Sequence, residues 1–279
     1  MRLNFVIITP LLSLLAIFSL FGCDNAANTA TICKNNPELC DDLHRDSWCR
    51  YERADLIRKR FALKNTPSPS GKQIYQHLIN LENYSKCIEL AAGVQHIMHP
   101  ERTNDRVRAF GISAQNLQQL RDTTKDNPDL YLSYYHWIRL NDQAALSRVV
   151  KAQQAGLIVD IEILASLASY YQKSNLNKAK ALYLQLLDQS DPDNFNPDWL
   201  LGLASIYHQQ NDLEKTYLFS KANVLMTRNT ASDAKMNALI KGNQQLAQFL
   251  DEQADTLVEH LKNGDYASSE IRAQLNTSS

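Results

Sequence analysis

The chain has 279 residues, 44% of them hydrophobic and 21% charged, with a formal net charge of −1. That length suffices for one large domain or two modest ones, and near-neutrality argues against nucleic acid, whose binders need a basic surface to displace counterions. The eight glycines are never closer together than Gly93 and Gly111, so GxGxxG, P-loop and GxSxG motifs are excluded, and there is no HExxH either.

Met1 to Asn4 carries one side-chain cation, Arg2, and an apolar run follows from Phe5 to Phe18. The run is too short for a bare membrane-spanning helix and ends Leu20-Phe21-Gly22-Cys23, which predicts a signal peptide over residues 1–22. An uncleaved anchor helix or a soluble-secretion signal is the alternative. Leu20-Phe21-Gly22-Cys23 resembles the bacterial lipobox, although Phe21 stands where small residues are commoner. The resemblance implies that Cys23 is lipidated and becomes the new N-terminus. Asp24, followed by Asn25, resembles the retention signal of enteric-type inner-membrane lipoproteins. That implies an inner-membrane lipoprotein facing the periplasm, with the outer membrane as the alternative. Removal of residues 1–22 leaves 279 − 22 = 257 residues, and loss of Arg2 takes the charge from −1 to −2. Membrane attachment is expected from the lipid alone rather than from a polybasic face. Residues 23–32, small and polar, read as a flexible tether.

Four cysteines remain: Cys33, Cys40, Cys49 and Cys87. In an oxidising compartment an even number reads as two disulfides. Zinc bound by Cys33, Cys40, His44 and Cys49 is the rival, but the spacing lacks CxxC hooks. Residues 41–63 are predicted helical, Asn65 to Gly71 (NTPSPSG) is a break, and a second helix runs from about Lys72 to Met98. The two form an antiparallel αα-hairpin over residues 33–99. Cys49 and Cys87 are nearly equidistant from the turn, so they should stand at the same height. Counting therefore pairs Cys49 with Cys87 and leaves Cys33 with Cys40. Helix axes normally lie about 8–10 Å apart, which is wide for a disulfide unless the helices approach closely there or Cys49 sits near a frayed helix start.

His99 to Gly111 is charged and aperiodic and reads as a loop. Residues 112–263 read as a helical-repeat region. Pro128 and Pro197 open helices after Asn127 and Asn196 as caps. Gly156 stops a helix, and 157–161 is assigned to the next one. Leu167-Ala168-Ser169-Tyr170-Tyr171 is echoed 36 positions later by Leu203-Ala204-Ser205-Ile206-Tyr207. Asn175 and Asn211 follow, and the later matches, Leu176 with Leu213 and Lys178 with Lys215, come after a one-residue insertion. A period in the mid-thirties on helical pairs is the mark of an α-solenoid. Leu167, Ala168, Tyr171 and Leu203, Ala204, Tyr207, with Trp199 before them, resemble tetratricopeptide repeats, although the turn glycine is missing. Residues 264–279 are expected to be a frayed tail. The fold class is thus all-α: a disulfide-linked N-terminal hairpin followed by a tetratricopeptide-like α-solenoid.

Asn36-Pro37-Glu38-Leu39-Cys40, Trp48-Cys49-Arg50-Tyr51-Glu52-Arg53 and Leu81-Glu82-Asn83-Tyr84 with Cys87 give a further likeness. Through them the chain resembles an uncharacterised family of gammaproteobacterial lipoproteins, a domain of unknown function that brings no activity with it. His96 and His99 read as a solvated helix end and the carboxylates as solvated helix faces; no metal or cofactor is expected. Tyr134, Tyr135, Tyr171, Trp199 and Tyr207 read either as repeat packing or as the lining of a groove that binds a protein or peptide partner. The expected function is a non-enzymatic interaction scaffold or chaperone-like subunit of a cell-envelope complex. The alternative is an envelope enzyme acting on peptidoglycan or glycan through carboxylates.

Overall fold

The computed structural model describes residues 28–45, 47–227, 229 and 233–277. All regular structure among them is helical, and the chain divides into two compact units at Leu146/Ser147. The expected all-α class, with a disulfide-linked hairpin and then paired helices, is what the chain forms.

In the first unit, α1 (Thr29–Asn35) is capped by Asn28, whose side chain accepts from the Ala30 N–H at 2.9 Å. The tether expected over residues 23–32 therefore gives way to helix at Thr29. Cys33 and Cys40 are bonded across a 3₁₀ turn, Pro37–Leu39. Residues 41–45 and 47–49 lie outside any helix, not in the expected one, and Asp42 among them is committed elsewhere. It takes both guanidinium nitrogens of Arg60, at 2.6 and 2.8 Å, and so ties the small disulfide loop to α2 (Arg50–Lys64). α3 (Gly71–Ala92) starts in a capping box made by Ser70 and Gln73 and runs antiparallel to α2, ending short of the expected Met98. Cys49 is the residue just before α2, outside the helix. This is how a disulfide with Cα atoms 5.8 Å apart fits between two packed helices.

The expected loop at residues 99–111 is instead the first half of α4 (Pro100–Thr124), which packs along α3. Its inner face carries Arg106, Ala109, Ser113, Leu117 and Thr124. Polar members of that face are satisfied internally, as burial requires. The Arg106 guanidinium donates to the Ala91 carbonyl at 3.2 Å, and the Ser113 hydroxyl meets that of Ser85 at 3.2 Å. α5 (Leu130–Leu140) is capped by Asp129, not Asn127. The Asn127 side chain instead accepts from the Asp129 N–H at 2.9 Å. A Cβ on Gly71 would fall 1.9 Å from the Asp129 carboxyl carbon, so only glycine allows α3 and α5 to meet there.

α6 (Gln143–Gln154) carries the division between the units. In the second unit α7 (Ile161–Tyr171) pairs with α8 (Leu176–Gln189), α9 (Asp198–Gln209) with α10 (Leu213–Met226), and α8 packs on α9. Each hairpin covers the next one's apolar face, which is the logic of a solenoid. The missing turn glycine is replaced by asparagine. Asn141 and Asn211 lie at φ 53° and 61°, the left-handed region that asparagine tolerates better than most residues. The aspartate after each of them caps the next helix, Asp142 α6 and Asp212 α10. Asn211 is also the one-residue insertion between the two repeats; in the shorter turn Asn175 itself is the cap. Asn196, like Asn127, is not at the cap position, which Pro197 takes; its side chain accepts from the N–H of Asp198, the first residue of α9, at 2.9 Å.

Two further expectations are corrected. Residues 157–160 lie outside any helix, because the Asp160 side chain caps α7 and sets its start at Ile161. The tail is packed rather than frayed. After α11 (Asp233–Leu239) and α12 (Gln244–Asn263), Gly264 turns the chain at φ 74°. A 3₁₀ turn, Tyr266–Ser268, and α13 (Glu270–Thr277) then bury Tyr266, Ile271 and Leu275. Arg272 forks onto Asp188 of α8 at 2.6 and 2.9 Å, a bidentate pair.

Candidate functional site

Cys23, Asp24 and Asn25, with the signal segment 1–22, lie outside the described residues. Of the remaining predicted positions, the cysteines form Cys33–Cys40 and Cys49–Cys87. Tyr134, Tyr135, Tyr171, Trp199 and Tyr207 are all buried, so the groove reading of these five is corrected to a packing role. The reason is the repeat itself. Tyr171 and Tyr207 stand near the end of the first helix of each hairpin and point at the second. There the Lys178 and Lys215 ammonium groups lie 5.1 Å from the respective ring centres. Tyr207 also stacks on Phe219 of α10 with centroids 5.5 Å apart. Burial raises both phenols, that of Tyr207 to about 12, and each hydroxyl is enclosed without a hydrogen-bond partner. Tyr135 is anchored differently: Arg121 donates to its hydroxyl at 3.0 Å, beside the buried Glu82. Glu82 in turn pairs with Lys86 at 3.0 Å and Arg139 at 3.4 Å.

The second unit carries a cleft of about 520 Å³ between α10, α11 and α12. Tyr217 and Lys221, one helical turn apart on α10, both reach Asp251 of α12, at 2.9 and 3.0 Å. Gln244, Gln248, Glu252 and Asp255 continue the α12 wall, and Met236 and Asn237 of α11 close one side. Among the described residues that line it, Lys221 is the one cation, against Asp251, Glu252 and Asp255. The cleft therefore offers carboxylate and amide acceptors to a donor-rich ligand. Sequence reading missed it because the apolar stripe of α12 drew attention to the opposite face. The signal was present: Gln244, Gln248, Asp251, Glu252 and Asp255 recur at the helical period. Among the described residues no group of three or more His, Cys, Asp or Glu is placed to hold a metal ion. His99 instead meets Glu101 at 3.1 Å. Among the same residues no helix is long and apolar enough to cross a membrane.

A disulfide-stapled helical unit followed by stacked helical hairpins defines an all-α paired-helix protein. The family model described as Protein of unknown function (DUF2989) matches residues 20–221, and the chain belongs to that family. No curated protein and no solved structure matches the chain.

Proposed function

We propose that this is a lipid-anchored envelope protein of the periplasmic face of the inner membrane, acting without catalysis as an interaction scaffold. Its partner would be a protein segment rich in hydrogen-bond donors. Three features support the anchor. Leu20-Phe21-Gly22-Cys23 closes an apolar run, the family match begins at Leu20 and takes in that tetrapeptide, and the first unit carries two disulfides, as suits an oxidising compartment.

The observation that carries the scaffold reading is the α10–α12 cleft. It is open and polar, and its central carboxylate, Asp251, is held in place by Tyr217 and Lys221. Such a preorganised acceptor wall suits recognition of a cationic or amide-bearing segment.

Two experiments test the reading. Cys23→Ala should abolish acyl labelling and release the protein from membranes; unchanged labelling refutes the anchor. A photo-crosslinker at the exposed Gln248 should trap a discrete partner in intact cells, and Glu252→Lys with Asp255→Lys should remove that product. Loss of glycan or peptidoglycan cleavage in the same double variant, with no crosslink to lose, would instead support the enzymatic alternative.

A further inference from the structure

The end of the first unit where α2 begins and α3 finishes carries an unusual surface. Ile97 is 95% exposed, Met98 85%, Leu90 72%, Tyr51 66% and Trp48 52%. Contiguous exposed apolar surface of this kind marks a contact site. The segments that carry these residues are fastened to one another. The Cys49–Cys87 disulfide fastens the Trp48 turn to the last turns of α3. Arg106 of α4 holds both sides, its guanidinium 5.5 Å from the Trp48 ring centre and donating to the Ala91 carbonyl at 3.2 Å. Thr103 of α4 fixes the α3–α4 turn by accepting from the His96 N–H at 3.0 Å. The apolar side chains at this turn are thus held outward by a braced backbone.

The same end of the unit carries positive charge and the incoming chain. A pocket of about 330 Å³ is lined by Thr29 and Ala30 at the start of α1, with Lys34, Arg45 and Arg53; among the described residues no acid lines it. Arg53 belongs to the first turn of α2, next to the disulfide that carries the patch. Asn28 is five residues from Cys23 (28 − 23), a reach of at most about 18 Å for an extended chain. Any lipid on Cys23 therefore delivers this end of the unit, and not another, to the bilayer.

We infer that Trp48, Tyr51, Leu90, Ile97 and Met98, with the Lys34–Arg45–Arg53 pocket beside them, form a bilayer-docking surface. The apolar side chains enter the interfacial zone and the cations meet lipid phosphates. Tryptophan and tyrosine suit that zone because one end of each ring system is apolar and the other polar. The lipid then tethers, and this surface orients. The inference rests on the anchor reading above for its geometry, and it goes beyond the expectation that the lipid alone holds the protein to the membrane.

Trp48 makes the test direct, because Trp137 and Trp199 are buried and Trp48 is the exposed one of the three tryptophans. The full acylated protein is reconstituted into phosphatidylethanolamine–phosphatidylglycerol vesicles carrying brominated acyl chains. Trp48 emission should shift to shorter wavelength and be quenched. The quenchable component should vanish in Trp48→Phe. It should also be lost in Ile97→Glu with Met98→Glu, while acyl labelling and vesicle association remain. Quenching that survives the double variant, or acylated and vesicle-bound protein with no quenching, overturns the docking surface and leaves the anchor standing. Should Cys23 prove unacylated, the anchor fails separately, and the Cys23→Ala mature chain mixed with the same vesicles still decides the surface. A salt-sensitive shift of Trp48 supports the docking surface and no shift overturns it. Loss of a protein crosslink in the Ile97→Glu, Met98→Glu variant, without any lipid quenching in the parent, overturns it in favour of a protein partner.

Discussion

Gly202 tests the stacking of one helical hairpin on the next. It lies inside α9, and a Cβ there would fall 2.5 Å from Cζ, 2.7 Å from Cε2 and 2.9 Å from Oη of Tyr183 on α8. Carbon atoms pack comfortably at about 3.5–4.0 Å, so the ring must retreat by about 1 Å. It is buried, and the retreat pulls its hydroxyl from Gln172 Oε1, at 3.3 Å. Overpacking of this kind costs about 1–3 kcal/mol, against a helix-propensity gain of up to about 1 kcal/mol for alanine over glycine. Gly202→Ala should therefore lose up to about 2 kcal/mol net, the difference of those two terms. Gly111 is the control. It lies inside α4 with nothing within 4 Å of its added Cβ, so Gly111→Ala should gain up to about 1 kcal/mol. Urea unfolding, followed by circular dichroism and by the buried Trp199 for the second unit, reads both. In a Tyr183→Leu background the penalty at Gly202 should disappear, leaving a coupling of about 1 kcal/mol or more. An equal cost in both backgrounds, or a gain at Gly202 matching that at Gly111, would refute the α8–α9 contact as drawn.

Removing the Cys49–Cys87 bond, which closes a separation of 38 residues, should cost about 4 kcal/mol by loop entropy, and removing Cys33–Cys40, with a separation of 7, about 2 kcal/mol. Denaturant midpoints of the two Cys→Ala pairs give the order, and a Cys40–Cys87 peptide in non-reducing maps would contradict the pairing. Burial, with Arg60 and Lys59 nearby, lowers the His77 imidazole to about 4. The folded state therefore disfavours the proton that the unfolded chain accepts near pH 6.5. Stability is full above about pH 6.5 and declines as pH falls toward 4, by on the order of 2 kcal/mol after allowing for partial solvation. His77→Gln should flatten that acid limb, and an unchanged pH profile would show that the imidazole is not the cause.

The helices that the sequence revealed are those whose inner faces are apolar at helical spacing. Leu78, Leu81 and Ile88 on α3, and Leu203, Ile206 and Tyr207 on α9, are of this kind. α4 was hidden because Arg106, Ser113 and Thr124 face inward, and a face built from small and polar groups leaves no hydrophobic period. The packed tail was hidden for a related reason. Among the described residues its buried apolar side chains are Tyr266, Ile271 and Leu275, and Arg272 pairs with Asp188, which is far away in sequence. The disulfide register could be counted along the hairpin, whereas the exit of Cys49 from the helix, which permits the bond, is a matter of where Asp42 is held. For the aromatics spacing was equally compatible with core and groove. What separates the two is the partner helix, where Phe219, Lys178 and Lys215 meet the rings.

The Arg272–Asp188 fork joins positions 84 residues apart. Stacked hairpins touch only their neighbours, so an array of them tends to unzip one pair at a time from an end. Here the last segment of the chain comes back across α8 and α12, like a buckle drawn over the strap it finishes. Opening the final helices then also uncovers Tyr266, Ile271 and Leu275 where they rest on earlier ones. The second unit is consequently expected to melt as one body, and a protease that shaved off α13 should loosen helices laid down much earlier in the chain.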